Sequence, residues 1–262
     1  MTEPRWAGRR PRILVTNDDG VTAPGIRVLE RIAAEVGEAV YTVAPELNHS
    51  GAGHSLTLRR PLRVHEVGEN RWCVDGTPTD CVMLGLQHVL EKERIDLVLS
   101  GINHGANLAD DVTYSGTVAA AMEATLLRVP AIALSQVCED QASLRWDTAE
   151  RLGAEIVRRC LGFAWPGDVL LNVNLPDRAP DDVRGIRITR QGKRKFGDEL
   201  VERLDPRGEP YVWIGGLTKG DEIPPEDTDL HAVASGFASV TPIHMDMTHR
   251  PSQKALEAIF RG

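Results

Sequence analysis

Residues 13–44 hold the pattern that most restricts how this chain can fold. The apolar run Ile13-Leu14-Val15-Thr16 stops abruptly at Asn17-Asp18-Asp19-Gly20. Pro24 then opens a stretch with Ile26, Leu29, Ile32 and Val36 at the spacing of one buried helical face. Proline in the first turn and Gly37 after the last residue mark its two ends. Residues 39–44 read as a second strand, stopped by Pro45. A strand, a helix and a strand within about 30 residues form a βαβ unit. Its two strands must run parallel, and its crossover is right-handed.

The pattern repeats downstream. Thr77 is the expected N-cap of a helix with Asp80 at its third position, and Val82, Leu86, Val89 and Leu90 mark that helix. Residues 95–100 read as a strand, 115–128 as a helix, 131–134 as a strand, 148–161 as a helix and 169–173 as a strand. Continuous rather than alternating apolar runs fit strands covered on both faces. The expected class is therefore α/β, with a Rossmann-like, doubly wound, mostly parallel sheet over residues 12–176. An insertion at 55–75 carries two strand-like pieces, 55–58 and 63–67. Beyond Pro176 the texture becomes β-rich: strands at 186–189, 211–214 and 237–241, a helical turn at 229–234, and a short amphipathic helix at 252–260. Residues 1–262 are read as one domain, with 177–262 as its extension.

Charge narrows the partners. Thirty Lys and Arg against 38 Asp and Glu leave a net −8, which argues against duplex nucleic acid as a partner. The distribution is uneven: residues 183–194 hold five basic residues and no acid, whereas 195–230 hold ten acids and four bases. The acidic stretch reads as a solvated face, and the basic one either as the same or as a neighbour of a substrate phosphate. No run of 18 apolar residues exists to cross a membrane, and the basic N-terminus leads into no apolar signal segment. Cys73, Cys81, Cys138 and Cys160 form no CxxC pair and are expected as small buried hydrophobes in a reducing, cytoplasmic setting.

In open α/β sheets ligands bind beyond the carboxyl ends of the strands. Three such ends stand out. At the first, the adjacent carboxylates Asp18 and Asp19 are costly to bury without a compensating cation or donors, and hard oxygens suit Mg²⁺, Mn²⁺ or Ca²⁺; the plainer alternative is that Asp18 caps the next helix. At the second, Ser50 precedes Gly51 and Gly53, so backbone N–H groups can approach an anion while the hydroxyl offers a metal ligand; His49 and His54 are either acids or ligands, or simply solvated. At the third, Asn103, His104 and Asn107 are followed by Ser115-Gly116-Thr117 at a helix start, where free N–H donors and the macrodipole favour phosphate; alone, Ser115 is an ordinary N-cap. No glycine–lysine phosphate loop, GxSxG elbow, HExxH or DxD nucleophile motif is present. Convergence at one sheet edge points to metal-assisted hydrolysis with water as nucleophile. Two rivals are a non-catalytic nucleotide-binding regulatory module, which would not need the acidic pair, and a Rossmann-type oxidoreductase, which would need a dinucleotide fingerprint after the first strand.

These motifs resemble those of the SurE family of survival nucleotidases. The matching stretches are ILVTNDDGVTAPGI (13–26), APELNHSGAGHSLT (44–57), GTPTDCV (76–82), DLVLSGINHGAN (96–107), YSGTVAAA (114–121), ITRQGKR (188–194), DPRG (205–208), WIGG (213–216) and TDLHAVASGFASVTP (228–242). The resemblance implies a divalent-metal-dependent phosphomonoesterase of nucleoside 5′- and 3′-monophosphates. It implies one metal per subunit held by Asp18, Asp19, Ser50 and Asn103, with Asn17, Gly51, Asn107, Ser115, Gly116 and Thr117 around the phosphate. It further implies a homodimer or homotetramer built through the C-terminal extension. The chain departs from that pattern at Ala109 and Ala124, where relatives often carry glycine.

Overall fold

The structure is a computed structural model that describes residues 9–138, 144–194, 200–214 and 223–261. The two glycines of the WIGG stretch, the first eight residues and part of the acidic stretch 195–230 lie outside the described residues.

Among the described residues, nine strands form one sheet, and its centre is the expected βαβ series. β1 (Arg12–Thr16), α1 (Pro24–Val36) and β2 (Ala39–Pro45) form the first unit. β3 (Val64–Gly68) and β4 (Arg71–Val74) come from the insertion, followed by α2 (Pro78–Leu84), β5 (Leu97–His104), α3 (Gly116–Leu126), β6 (Ala131–Gln136), α4 (Trp146–Cys160) and β7 (Val169–Leu175). After β8 (Ile186–Ile188), β9 (Leu200–Leu204) and β10 (Pro210–Ile214) pair only with each other. Then α5 (Asp229–Ala234), β11 (Ala238–His244) and α6 (Arg250–Phe260) end the chain. The sheet order is β3-β4-β2-β1-β5-β6-β7-β11-β8. From β1 the chain winds outward through β2, then returns to lay β5, β6 and β7 on the other side, so the winding reverses between β1 and β5. Crevices open at such switch points.

Apolar strands are buried from both sides. Leu29, Ile32, Ile132 and Ile156 pack on the face covered by α1 and α4. Val43, Val82, Val118 and Leu170 pack on the face of α2 and α3. The Thr77 hydroxyl accepts from the Asp80 N–H (3.1 Å) and the Asp80 carboxylate accepts from the Thr77 N–H (2.9 Å), the reciprocal cap expected of that spacing.

Several expectations shift. Residues 55–58 form no strand: their backbone is held by side chains, with the Thr57 N–H donating to Asp80 (3.0 Å) and the Thr77 hydroxyl to the Ser55 carbonyl (2.7 Å). β4 escapes a sequence reading because its four residues follow the tight Asn70 turn, where φ is +52°. The helix expected through Leu90 is α2 continued by a wider π-turn over Gly85–Val89. β5 runs four residues past Ser100, with an irregularity against β6 between Ser100 and Asn103, so Asn103 and His104 stand on a strand end rather than in a loop. The C-terminal segment adds β11, antiparallel to β7, and β8 to the main sheet. Among the described residues no helix is long and apolar enough to cross a membrane.

Opposite the switch-point crevice, one buried carboxylate ties β1 to β5. Asp96 accepts both prongs of the Arg9 guanidinium (2.7 and 2.9 Å), the Arg12 N–H (3.0 Å) and an ion pair from Arg94 (3.2 Å). Burial pushes its carboxyl up, but these donors outweigh it and hold the carboxyl below its usual range. A depressed acid contributes stability that is complete above its ordinary value near roughly pH 4 and is lost as pH falls through the depressed value. Asp96→Asn is therefore expected to cost about 2 kcal/mol at pH 7, with the gap to wild type narrowing in urea unfolding at about pH 3. A gap that does not change with pH contradicts this account.

Candidate functional site

Thr16 and Ser100 are partners in the β1–β5 register, so the polar turns that follow them emerge side by side. The Asn17 amide closes its turn on Gly20, donating to the Gly20 carbonyl (2.9 Å) and accepting from its N–H (3.2 Å). Asp18 is 4% exposed. One of its carboxylate oxygens accepts a short hydrogen bond from the Thr117 hydroxyl. Asp19 accepts from the His104 N–H (3.3 Å) and the Asn48 amide (3.2 Å). The serine–glycine loop is drawn onto the same turn, with the His49 N–H donating to the Asp18 carbonyl (2.7 Å) and the Ser50 N–H to the Asn48 side chain (2.8 Å). Further along, the Gly53 N–H donates to the Tyr114 carbonyl (3.0 Å), and His54 meets the Glu123 carboxylate of α3 at 3.0 Å. Asn103 donates to the Gly105 carbonyl (3.0 Å). Ser50 and Gly51 are exposed, and Asn103 is half-buried.

The start of α3 completes the cluster. The Ser115 hydroxyl accepts from the Val118 N–H (3.1 Å), an ordinary N-cap. The next residue explains why the helix can come so close to Asp18. A Cβ at Gly116 would stand 2.7 Å from the Asp18 Cβ, 3.0 Å from its Oδ2 and 3.1 Å from Pro78. Only a residue without a side chain lets the first amides of the helix face that carboxylate.

Electrostatically the site is under-compensated. Burial pushes the Asp18 carboxyl up to about 6, and the Asp19 charge adds to the rise against the hydrogen bonds from Thr117. Burial also raises Asp19, against the His104 amide and ring and the Asn48 amide. Among the described residues no Lys or Arg offsets either carboxylate. Nor, among them, are three or more His, Cys, Asp or Glu side chains placed together so as to hold a metal ion. Two adjacent carboxylates are hard-oxygen donors of the kind that fits a divalent cation, with Ser50 on the loop drawn onto their turn and Asn103 next to the residue whose N–H meets Asp19.

The loop after β5 is held as firmly as the site itself. Asn107 is 6% exposed and bonds to Ser135, Asn172 and Asn174. Ala109 takes φ +52°, a left-handed conformation a glycine reaches without strain. Its N–H donates to the fully buried Asp229 (2.9 Å) and its carbonyl accepts from Gln191 (2.8 Å), which together hold it there. Four of the five bases of 183–194 have partners away from the carboxylate turn: Arg190 pairs with Asp227 at 2.6 Å and Arg194 with Asp111, while Arg184 and Arg187 lie over the Phe237 ring. Ser135, Asn172, Asn174 and Asp229 were not singled out by the motifs. The available signal was two asparagines inside the apolar run Val169–Leu175, since buried amides are costly unless bonded.

A raised acid favours the folded state at low pH. Here stability is lost as pH rises from about 4 towards the folded value of about 6, by up to about 3 kcal/mol. Asp18→Asn removes that loss, so in chelator at pH 7 the variant should melt several degrees above wild type. A lower melting temperature contradicts the reading of Asp18 as an uncompensated charge.

A family model described as Survival protein SurE matches residues 13–198. Among relatives, a protein of Paramagnetospirillum magneticum named 5′-nucleotidase SurE is 58% identical over 249 residues, covering 95% of each chain. A namesake from Parvibaculum lavamentivorans is 50% identical over 94% of this chain and 89% of its own. The crystal structure of the SurE protein from Aquifex aeolicus superimposes with a TM-score of 0.84 at 41% identity, covering 95% of this chain and 99% of that one. The family model over residues 13–198 and the relatives over nearly the full length agree: the chain belongs to the SurE survival-protein family.

Proposed function

We propose that the chain is a 5′/3′-nucleotidase, hydrolysing nucleoside monophosphates to nucleoside and phosphate. The observation that carries this reading is the uncompensated Asp18–Asp19 pair, Asp18 buried against the glycine-cleared start of α3 and Asp19 half-buried beside it. The names of the relatives support it.

Metal dependence is general to nucleotidases of this family. Asp18, Asp19, Ser50 and Asn103 would hold one divalent cation per subunit, Mg²⁺, Mn²⁺ or Ca²⁺. Bound there, it supplies positive charge to a phosphate oxygen and acidifies the attacking water. The remaining work belongs to the chain. The helix start at Ser115-Gly116 and the Ser115 hydroxyl meet an anion in a geometry fixed before it arrives, so they need not reorganise as charge builds on the equatorial oxygens; Thr117 beside them spends its hydroxyl hydrogen on Asp18 and holds that carboxylate against the helix. Asn107 adds an amide, and Gly51 a backbone N–H, from the facing loops. Asn17 keeps the carboxylate turn in shape through Gly20. Asp18, Asp19 or a histidine such as His104 offers a proton-accepting atom for the attacking water.

Release of phosphate from AMP or GMP with Mn²⁺ or Mg²⁺ tests the reading. It expects activity to vanish in excess chelator and in Asp19→Ala, and full activity in either contradicts it. Gly116→Ala should lower kcat by about a hundredfold, because a displacement of about 1 Å at a positioning element costs that much. A rate within twofold of wild type would show that the close approach of α3 is incidental.

The C-terminal extension supports assembly into a homodimer or homotetramer. α6 buries none of its residues within the chain, yet it carries Leu256, Ile259 and Phe260 at one-face spacing, exposed by 52, 71 and 83%. The β9–β10 ribbon exposes Leu200, Val212, Trp213 and Ile214. Contiguous apolar surface of this kind marks interfaces. Light scattering should give a multiple of the chain mass that falls in Ile259→Glu; a wild-type monomer contradicts it. The buried thiols Cys73, Cys81 and Cys160, all pushed up by burial, suit a reducing cytoplasm.

A further inference from the structure

The middle of β7 breaks its own apolar pattern. Within Val169-Leu-Leu-Asn-Val-Asn-Leu175, Asn172 and Asn174 are both fully buried, and their i, i+2 spacing places them on the same face of the strand. Ser135 of β6, also fully buried, is the register partner of Asn174. A strand that only filled a core would carry Val or Leu at all three positions.

All three side chains close on one residue. The Asn107 N–H donates to the Asn174 Oδ1 (2.8 Å). The Asn107 carbonyl accepts from the Asn174 Nδ2 (3.0 Å) and from the Asn172 Nδ2 (2.8 Å). The Asn107 side-chain Nδ2 donates to the Ser135 Oγ (2.8 Å). Asn174 thus reads both backbone groups of Asn107 with the two ends of its own amide, as a neighbouring strand would. Backbone and side chain of a residue outside any strand or helix are therefore fixed by three polar side chains from the core. An amide nitrogen carries two hydrogens; Ser135 takes one and sets the direction of the other.

We propose that Asn172, Asn174 and Ser135 are positioning residues of the phosphoryl-transfer site: they clamp Asn107 so that its second amide hydrogen is aimed in advance at a phosphate oxygen. The inference rests on the nucleotidase reading and adds to it a second layer beneath the site. A preorganised donor acts mainly on the transition state, because it need not be reoriented as charge develops. Loss of the clamp should therefore be seen in kcat rather than in KM.

Ser135→Ala removes a single oxygen from a strand and keeps the backbone clamp, so it is the variant least able to unfold the protein. Asn174→Ser removes two of the three bonds to the Asn107 backbone and leaves the one from Asn172. With a nucleoside 5′-monophosphate, Ser135→Ala should lower kcat about tenfold and Asn174→Ser more, with KM within about twofold of wild type. Hydrogen exchange should show faster exchange over 107–111 in Asn174→Ser while β1, β5 and β6 keep their protection. The clamp is overturned by an unchanged kcat in both variants, or by a loss that tracks the folded fraction alone. If wild type hydrolyses no nucleotide, the nucleotidase reading falls, and calorimetry with inorganic phosphate judges the clamp. About tenfold weaker binding by Ser135→Ala then supports it, whereas equal binding, or none by wild type, overturns it.

Discussion

The contact between Asp18 and the start of α3 is where the demands of this fold meet. β1 ends at a switch point with its carboxylate buried, and the neighbouring Asp19 repels it. Among the described residues the response is made of dipoles, chiefly the Thr117 hydroxyl and main-chain N–H. Dipoles relieve such a charge only in part, which leaves the carboxyl raised and the site receptive to a cation. The same approach aligns the amide donors of α3 with the carboxylates, so an anion and a cation are invited to one crevice. Gly116 is the condition for that closeness, since a single methylene there would meet Asp18.

The rest of the sheet serves this edge from both directions. At the far end, Asp96 locks Arg9, Arg12 and Arg94 to the base of β5 and fixes the β1–β5 pair whose other end carries the site. Beside it, β7 gives up core packing at two positions to grip the loop after β5. From the C-terminal segment, Asp229 and Gln191 hold Ala109 in its left-handed conformation. The extension thus reaches into the loop that carries Asn107 and also presents apolar surface to a neighbour.

Much of this was legible in the residues themselves. Apolar runs that stop at carboxylates, capping spacings and the serine–glycine loop each state a local cost or preference, so β1, α1, α2, α3 and the three strand ends could be read directly. What stayed hidden depends on contacts between distant segments. The extension of β5 through His104 is masked by Gly101, which interrupts the apolar run. The short β4 carries too few residues to show a period, and β9 reads as Leu-Val-Glu-Arg-Leu. The clamp joins residues 28 to 67 positions apart, so only its anomaly, two asparagines in a buried strand, was visible. Likewise the bases of 183–194 could have faced a phosphate, and only the fold shows Arg190 and Arg194 meeting Asp227 and Asp111.

The most direct test is crystallographic: crystals grown without chelator and soaked in Mn²⁺, with anomalous scattering used to locate the ion. One peak per chain, bounded by the carboxylates of Asp18 and Asp19, is the predicted result. A well-ordered crystal with no peak between those carboxylates, or with its only strong peak elsewhere, would contradict the claim that their uncompensated charge defines the site.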